Sequence, residues 1–336
     1  MSYLDSSGVS AMWTKIKEHV SAIYEAIDKK QDKLTFDSTP TSGSTNLVNS
    51  GAVYTAVSAK QNEITISTSA PKSTDGSNGD VWMVYEKDPR DISWSAGTDE
   101  EIVRAIAAAD AGEIDLYNDN GWRVGDTRTV SLSAMEATGT YDGVTWSVGE
   151  THGAQDIELV LMNKGGITLS NGKECKFVVG MKDCLNEAGY MNRTDTNSGS
   201  WDGCARRNWC NGAFRQAIPD TLRPIFKQMQ TITAETHNGS TLKTSTDYFA
   251  LPAEREILGS RACSNKTEAA STSLVQFTWY ATQTNRRKKR NGDFAWWWER
   301  SPNQRTSTYF CVVTNTGATS EFNAGTTRGL SPFGCI

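Results

Sequence analysis

The side chains able to do chemistry in this 336-residue chain are few and scattered. Hydrolysis needs two placed carboxylates, or a nucleophile with its base. Of the three histidines, His19 falls in an apolar-periodic helix, while His152 and His237 sit in polar segments with no serine-elbow motif anywhere in the chain. Asp156 and Glu158 share one face of a strand, which reads as a solvated edge rather than a cleft. Cys204 and Cys210 flank "ARRNW", a wider spacing than the close Cys-x-x-Cys of a zinc knuckle, and no histidine stands nearby. Cys311 and Cys335 have the apolar flanks Phe310, Val312 and Ile336, which suit buried thiols rather than reactive ones. Beyond Pro302 the only acid is Glu321, too little oxygen for a calcium loop. No catalytic residue, cofactor or metal is expected, and the seven cysteines are expected to be mostly reduced and buried.

Binding chemistry is better represented. The stretch "NGDFAWWWERSP" sets Trp296, Trp297 and Trp298 side by side, followed by Glu299 and Arg300. In a strand, neighbouring side chains point to opposite faces, so one indole should enter the core and another should flank a surface. Glu299 and Arg300 are expected to be tied into the loops by charge-assisted hydrogen bonds. Indoles offer large, rigid contact area at low entropic cost and can stack on sugar rings or anchor a protein partner. The preceding basic run "NRRKKR", Asn285 to Arg290, reads first as a solvated loop and second as a contact for anionic envelope polymers.

Bulk properties narrow the classes. A net charge of -5 and a pI near 5.4 argue against a nucleic-acid binder, which usually shows a basic domain. With 37% hydrophobic residues, a mean hydropathy of -0.51 and no long apolar run, membrane insertion is not expected. The opening segment shows neither the basic and apolar regions nor the cleavage site of a secretory signal.

The elements that must position any site follow from periodicity. Val9, Trp13, Ile16, Val20, Ile23, Ile27 and Leu34 repeat at a 4-3-4-3-4-7 spacing, a heptad seam interrupted by Lys30. Branched aliphatics at both seam positions favour three strands, so a parallel homotrimeric coiled coil roughly 39 Å long is expected. The alternative is an amphipathic helix packed on its own domain. The segment Ala22 to Phe36, "AIYEAIDKKQDKLTF", returns as Ala52 to Ile66, "AVYTAVSAKQNEITI", with Ser/Thr/Gly/Pro connectors and then a short strand at "DVWMVY". From about Asp91 the texture is globular. A helix starts at the Thr98/Glu101 capping box, carries Ile102, Ile106 and Ala109 on one side, and stops at Gly112. Strands are expected at "RTVSL", "VTWSV", "IELVLM" and "KFVVGM", further helices at "PDTLRPIFKQM" and from Pro252 to Gly259, and a loop-rich C-terminal part on an α+β scaffold.

The segments "GWRVGDTRTVSLSAM", "IELVLMNKGG", "FVVGMKDCLNEAGYMN", "RRNWCNGAFRQAIPDTLRPIFKQM", "STDYFALPAEREILGS", "WWWERSP" and "GLSPFGCI" together resemble the C-type-lectin-like domain of phage and prophage tail proteins, many of them diversified by retroelements. The resemblance covers roughly Ser93 to Ile336, and "LTFDSTPTSGSTNLVNSGAVYTAVSAKQ" is similar to modules of siphophage tail fibres. It implies an irregular α+β head whose C-terminal strands and loops bind a host surface at the tip of a trimeric fibre. Retroelement diversification miscopies adenines in codons that cannot become Gln, Lys, Glu, Met or Trp. It therefore implies that Trp296, Trp297, Trp298, Glu299, Gln304 and Glu321 are scaffold.

The expectation is therefore an α+β protein with a trimeric coiled-coil stalk (1–36), a repeat-bearing neck (37–66), a short β connector (67–92) and a C-type-lectin-like head (93–336). Val9, Trp13, Ile16, Val20, Ile23 and Ile27 form the trimer seam. The ligand face draws on Phe294, Ala295, Arg305, Thr306, Thr308, Tyr309, Val312, Thr314, Thr316, Ala318, Ser320, Phe322, Asn323, Thr326 and Arg328, with Trp296 as the flanking indole. The partners are a bacterial cell-surface receptor, protein or glycan, two further copies of the chain, and other tail proteins through the N-terminus; the location is the virion tail. Two readings compete: a glycan-degrading tail enzyme, which would show carboxylates about 5–9 Å apart in a cleft, and a structural tail or baseplate component with these residues buried against a neighbour.

Overall fold

The computed structural model describes residues 6–31, 36–37, 47–48, 64–67, 81–84 and 86–336. It is a mixture of helix and sheet in two compact units, Met1–Asp88 and Pro89–Ile336. In the first unit, helix α1 (Ser6–Gln31) covers most of the heptad pattern. Val9 and Trp13 on its apolar stripe are half-buried, whereas Ile16, Val20, Ile23 and Ile27 are 37–58% exposed. Strands β1 (Phe36–Asp37) and β2 (Leu47–Val48) pair in parallel, as do β3 (Ile64–Ser67) and β4 (Val81–Val84). Leu34, Tyr85 and most of both repeat copies lie outside the described residues.

The second unit begins before residue 93, because Ile92 belongs to its core. Helix α2 (Asp99–Asp110) starts where the capping box requires: Thr98 Oγ1 accepts the Glu101 N–H, and Glu101 accepts the Thr98 N–H. Its buried stripe is Ile102, Ala105, Ile106, Ala108 and Ala109. Strands β5 (Thr127–Leu132), β8 (Gln155–Lys164) and β9 (Phe177–Met181) enter a five-stranded antiparallel sheet in the order β12–β18–β9–β8–β5, where β12 is Phe249–Ala250 and β18 is Phe333–Cys335. The last strand thus lies inside the sheet, and every residue of the central "FVVGM" is buried on both sides. A hairpin of β6 (Thr138–Tyr141) and β7 (Val144–Ser147) carries Trp146. A Cβ on Gly139 or Gly212 would stand 2.4 or 2.3 Å from that indole, so both positions require glycine for close approach.

The helix expected at "PDTLRPIFKQM" does not form. Only a 3-10 turn, Arg223–Ile225, occurs there, and Met229 opens strand β10 (Met229–Ala234), which pairs with β11 (Leu242–Asp247). Pro224 supplies no N–H and disfavours helical backbone before it. The Arg223 guanidinium instead binds the carbonyls of Arg215, Gln216 and Ile218. The short helix before Gly259 does form, as α3 (Glu254–Leu258), closed by Gly259 at φ 71°. All seven cysteines are free; six are buried, and Cys263 is half-buried.

His152 is 1% exposed, lies tilted against Trp209 at 5.0 Å, and neither ring nitrogen has a hydrogen-bond partner among the described residues, although carboxylate oxygens of Glu187 and Glu150 stand 3.5 and 4.0 Å away and burial outweighs them. Burial, and then the nearby Arg206, push its pKa down to about 3. The unfolded chain therefore binds this proton more tightly than the folded one. Stability is full above the ordinary histidine value near 6.5 and is lost as pH falls toward about 3, at up to ~1.4 kcal/mol per pH unit. In urea titrations between pH 7 and pH 4, His152→Phe is expected to lose less stability than wild type; parallel losses would rule this origin out.

Candidate functional site

The C-terminal third builds a second, three-stranded antiparallel sheet, β15–β16–β17, from β15 (Trp297–Pro302), β16 (Tyr309–Val313) and β17 (Thr319–Asn323). Just before it, β13 (Lys288–Arg290) and β14 (Asp293–Ala295) pair across Asn291-Gly292, whose φ values of 53° and 90° give the two-residue turn this dipeptide favours. The turn folds the basic run back onto the aromatic run, with Lys289 directly opposite Phe294.

The basic run is therefore not a uniformly solvated loop. Strand alternation sends Lys288 inward, where its Nζ donates to the carbonyls of Met181 and Lys182, and burial lowers its pKa to about 8. Arg287 and Lys289 stay on the outer side, and Arg290, at the turn, is partly exposed.

The tryptophan triplet divides. Trp297 and Trp298 are both fully buried, because both faces of β15 are covered; their N–H groups donate to the Arg286 and Gly189 carbonyls at 2.9 and 2.7 Å. Trp296 remains half-buried and meets Phe322 edge to face, with centroids 5.9 Å apart and planes at 90°. Arg300 is tied to Glu256 as a charged pair. Glu299 is not in a loop at all but wholly buried.

Trp296 and Phe322 form one wall of a cleft of about 500 Å³, completed by Arg290, Asn291, Asp293, Phe294, Ala295, Thr327, Arg328 and Gly329. The Arg328 guanidinium lies 3.7 Å from the Phe322 ring centre and 5.9 Å from that of Trp296; Arg287 lies 3.7 Å from the Phe294 ring centre. Burial, and then the nearby Arg290, disfavour the charge on Arg328, and its Nε has no hydrogen-bond partner among the described residues. None of Arg287, Lys289, Arg290 and Arg328 has an ion-pair partner among the described residues, so Asp293 is the one acid on the cleft wall. Aromatic faces beside uncompensated guanidinium groups suit an anionic group attached to a ring or chain that can stack.

Of the expected ligand-face residues, Phe294, Ala295, Trp296, Phe322 and Arg328 converge in this cleft. Arg305, Thr306 and Thr308 occupy the turn between β15 and β16, where the Thr306 and Thr308 hydroxyls are 2.9 Å apart. Thr314, Thr316 and Ala318 make the opposite turn, between β16 and β17. Tyr309 pairs with Asn323 and Val312 with Ser320 across the sheet, while the Thr326 hydroxyl donates to the Asn323 carbonyl at 2.7 Å. All of these are at least partly exposed except Val312, which is wholly buried. Val312 is therefore removed from the face: it lies on the core side of the middle strand, beside Trp298.

Asp156 and Glu158 are solvent-exposed as expected, but on β8, an inner strand rather than an edge, where they border an open hollow of about 500 Å³ with Asp183. There Asp156 accepts from the Ser131 hydroxyl at 2.6 Å, Asp183 accepts the Lys289 N–H, and Lys182 binds Glu158 at 2.9 Å and lowers its pKa. A lowered pKa suits a fixed ion pair better than a general acid. Sequence reasoning offered Arg290 only within the basic run and missed Asn291 and Asp293 as cleft residues, although the Asn-Gly dipeptide between basic and aromatic runs carried that signal.

Residues 177–336, from β9 to the C-terminus, are similar to a family described as a domain of unknown function (DUF6273). No curated protein and no solved structure is similar to the chain. No described helix is long and apolar enough to cross a membrane.

Proposed function

We propose that this chain is a receptor-binding protein of a phage or prophage tail: three α1 helices join as a parallel coiled-coil stalk, and a C-type-lectin-like head grips a bacterial surface ligand through the aromatic and arginine cleft. The observation that carries the reading is the meeting of Trp296 and Phe322 with Arg328 and Arg290 in one solvent-open cleft, where neither guanidinium forms an ion pair among the described residues. The exposed Ile16, Val20, Ile23 and Ile27 stripe supports self-association, because a row of branched aliphatics at heptad spacing is costly to leave in water. Linking three heads raises effective concentration, so weak contacts give firm attachment. A structural tail component would bury the same cleft against a neighbour.

The test is binding of fluorescently labelled full-length protein to a panel of bacterial strains. At least one strain is expected to be bound, more weakly as salt rises. Phe322→Ala combined with Arg328→Ala is expected to cost ~30-fold or more in apparent affinity, as for truncation of a central aromatic and arginine anchor. A bound strain that retains the double variant at wild-type strength would remove the cleft from the account.

A further inference from the structure

The three-stranded sheet carries a second cluster on its buried side. Glu254, Glu299 and Cys311 are each 0% exposed, and one ligand-capable atom from each lies within 4.8 Å of the others. They come from three separate elements: Glu254 opens α3, Glu299 lies in β15, and Cys311 is central in β16, opposite Glu321.

The two carboxylates differ in how they are held. Glu254 accepts the N–H groups of Ala262, Cys263 and Ser264 and the hydroxyl of Ser264. The Thr319 hydroxyl lies between the two carboxyl groups, 3.2 Å from Glu254 and 3.5 Å from Glu299, with one proton to give, and the Glu299 Oε2 has no partner among the described residues. Neither carboxyl group forms an ion pair among the described residues. Arg300, the next residue, directs both terminal nitrogens at Glu256. A buried carboxyl group with an unpartnered oxygen, beside a second buried carboxyl group and a thiol, brings three possible donor atoms toward one point.

We infer that Glu254, Glu299 and Cys311 form an internal site for a borderline-soft divalent cation of the zinc class, which ties β15 and β16 to α3 beneath the binding sheet. A thiolate with two carboxylate oxygens fits such an ion, whereas calcium and magnesium demand six or more oxygens. Binding takes Glu299 as carboxylate and Cys311 as thiolate, releasing whatever proton either carries, with no change of oxidation state. The site is distinct from the cleft and does not depend on what the cleft binds.

The full-length protein is refolded with zinc chloride, dialysed, and its metal measured by mass spectrometry. A parallel sample takes Co²⁺, whose thiolate bond gives a charge-transfer absorption. The expected result is one zinc per chain, a lowered Tm on chelation, and the cobalt–thiolate band. Glu299→Gln, the neutral isostere, should fold, carry less than a tenth of the zinc, and show a Tm that chelators do not move. Cys311→Ser should lose the cobalt band. Wild-type protein that refolds without metal, or variants that retain zinc and the band, would overturn the site.

Discussion

Arg300→Ala is expected to destabilise the head by about 3–5 kcal/mol, the cost of leaving a buried charge without its partner. Arg300 is fully buried and makes a two-pronged contact with Glu256, at 2.6 and 2.7 Å, while donating to the Leu251 carbonyl at 2.9 Å. Glu256 in turn accepts the Ala253 N–H and so starts α3. Removing the guanidinium strands Glu256 in the core and loosens the loop before that helix, which also supplies Glu254. The pair itself is a poorer source of stability than its rupture suggests, because two charges had to be desolvated to form it. Arg300→Met combined with Glu256→Leu should therefore recover much of the loss. Urea unfolding of both variants checks this; a single variant within about 1 kcal/mol of wild type would show that water or another cation reaches Glu256.

The second large effect concerns assembly. Ile16→Lys with Ile23→Lys is expected to convert a trimer to a monomer and to lower apparent binding to a recognised bacterial surface by about 10²–10⁴-fold, with the head unaltered. Ile16 and Ile23 are 37% and 58% exposed in the single chain, so lysine at either position costs an isolated helix little. In a three-helix seam it would place like charges together where branched side chains should interlock. Light scattering after size exclusion reads the mass directly. A wild-type monomer at micromolar concentration, or a variant that remains trimeric, would sink the stalk, while circular dichroism of the head region separates this from misfolding.

Much of the scaffold was legible in local pattern. The Thr98 to Gly112 helix, the strands at "RTVSL" and "KFVVGM" and the stop at Gly259 all appear where caps, alternation and a left-handed glycine put them, because those signals act over a few residues and need no distant partner. The failure at "PDTLRPIFKQM" is of the opposite kind. Its apolar spacing fits a helix, but Pro224 and the pairing of Met229 with Asp247 outweigh that spacing once the rest of the chain is present.

For the site, the residue types were visible and their meeting was not. Sequence alone determined that the C-terminal part carries adjacent indoles, a basic run and few acids, hence that any chemistry on its surface is aromatic and cationic. It also determined the heptad stripe of α1. Only tertiary structure decided that Trp296, and not Trp297 or Trp298, faces the cleft, that Val312 is core, that Lys288 turns inward, and that Glu254, Glu299 and Cys311 meet. Side-chain alternation specifies opposite faces, but which face is covered depends on elements far away in the chain, and a strand covered on both sides hides both of its faces from water.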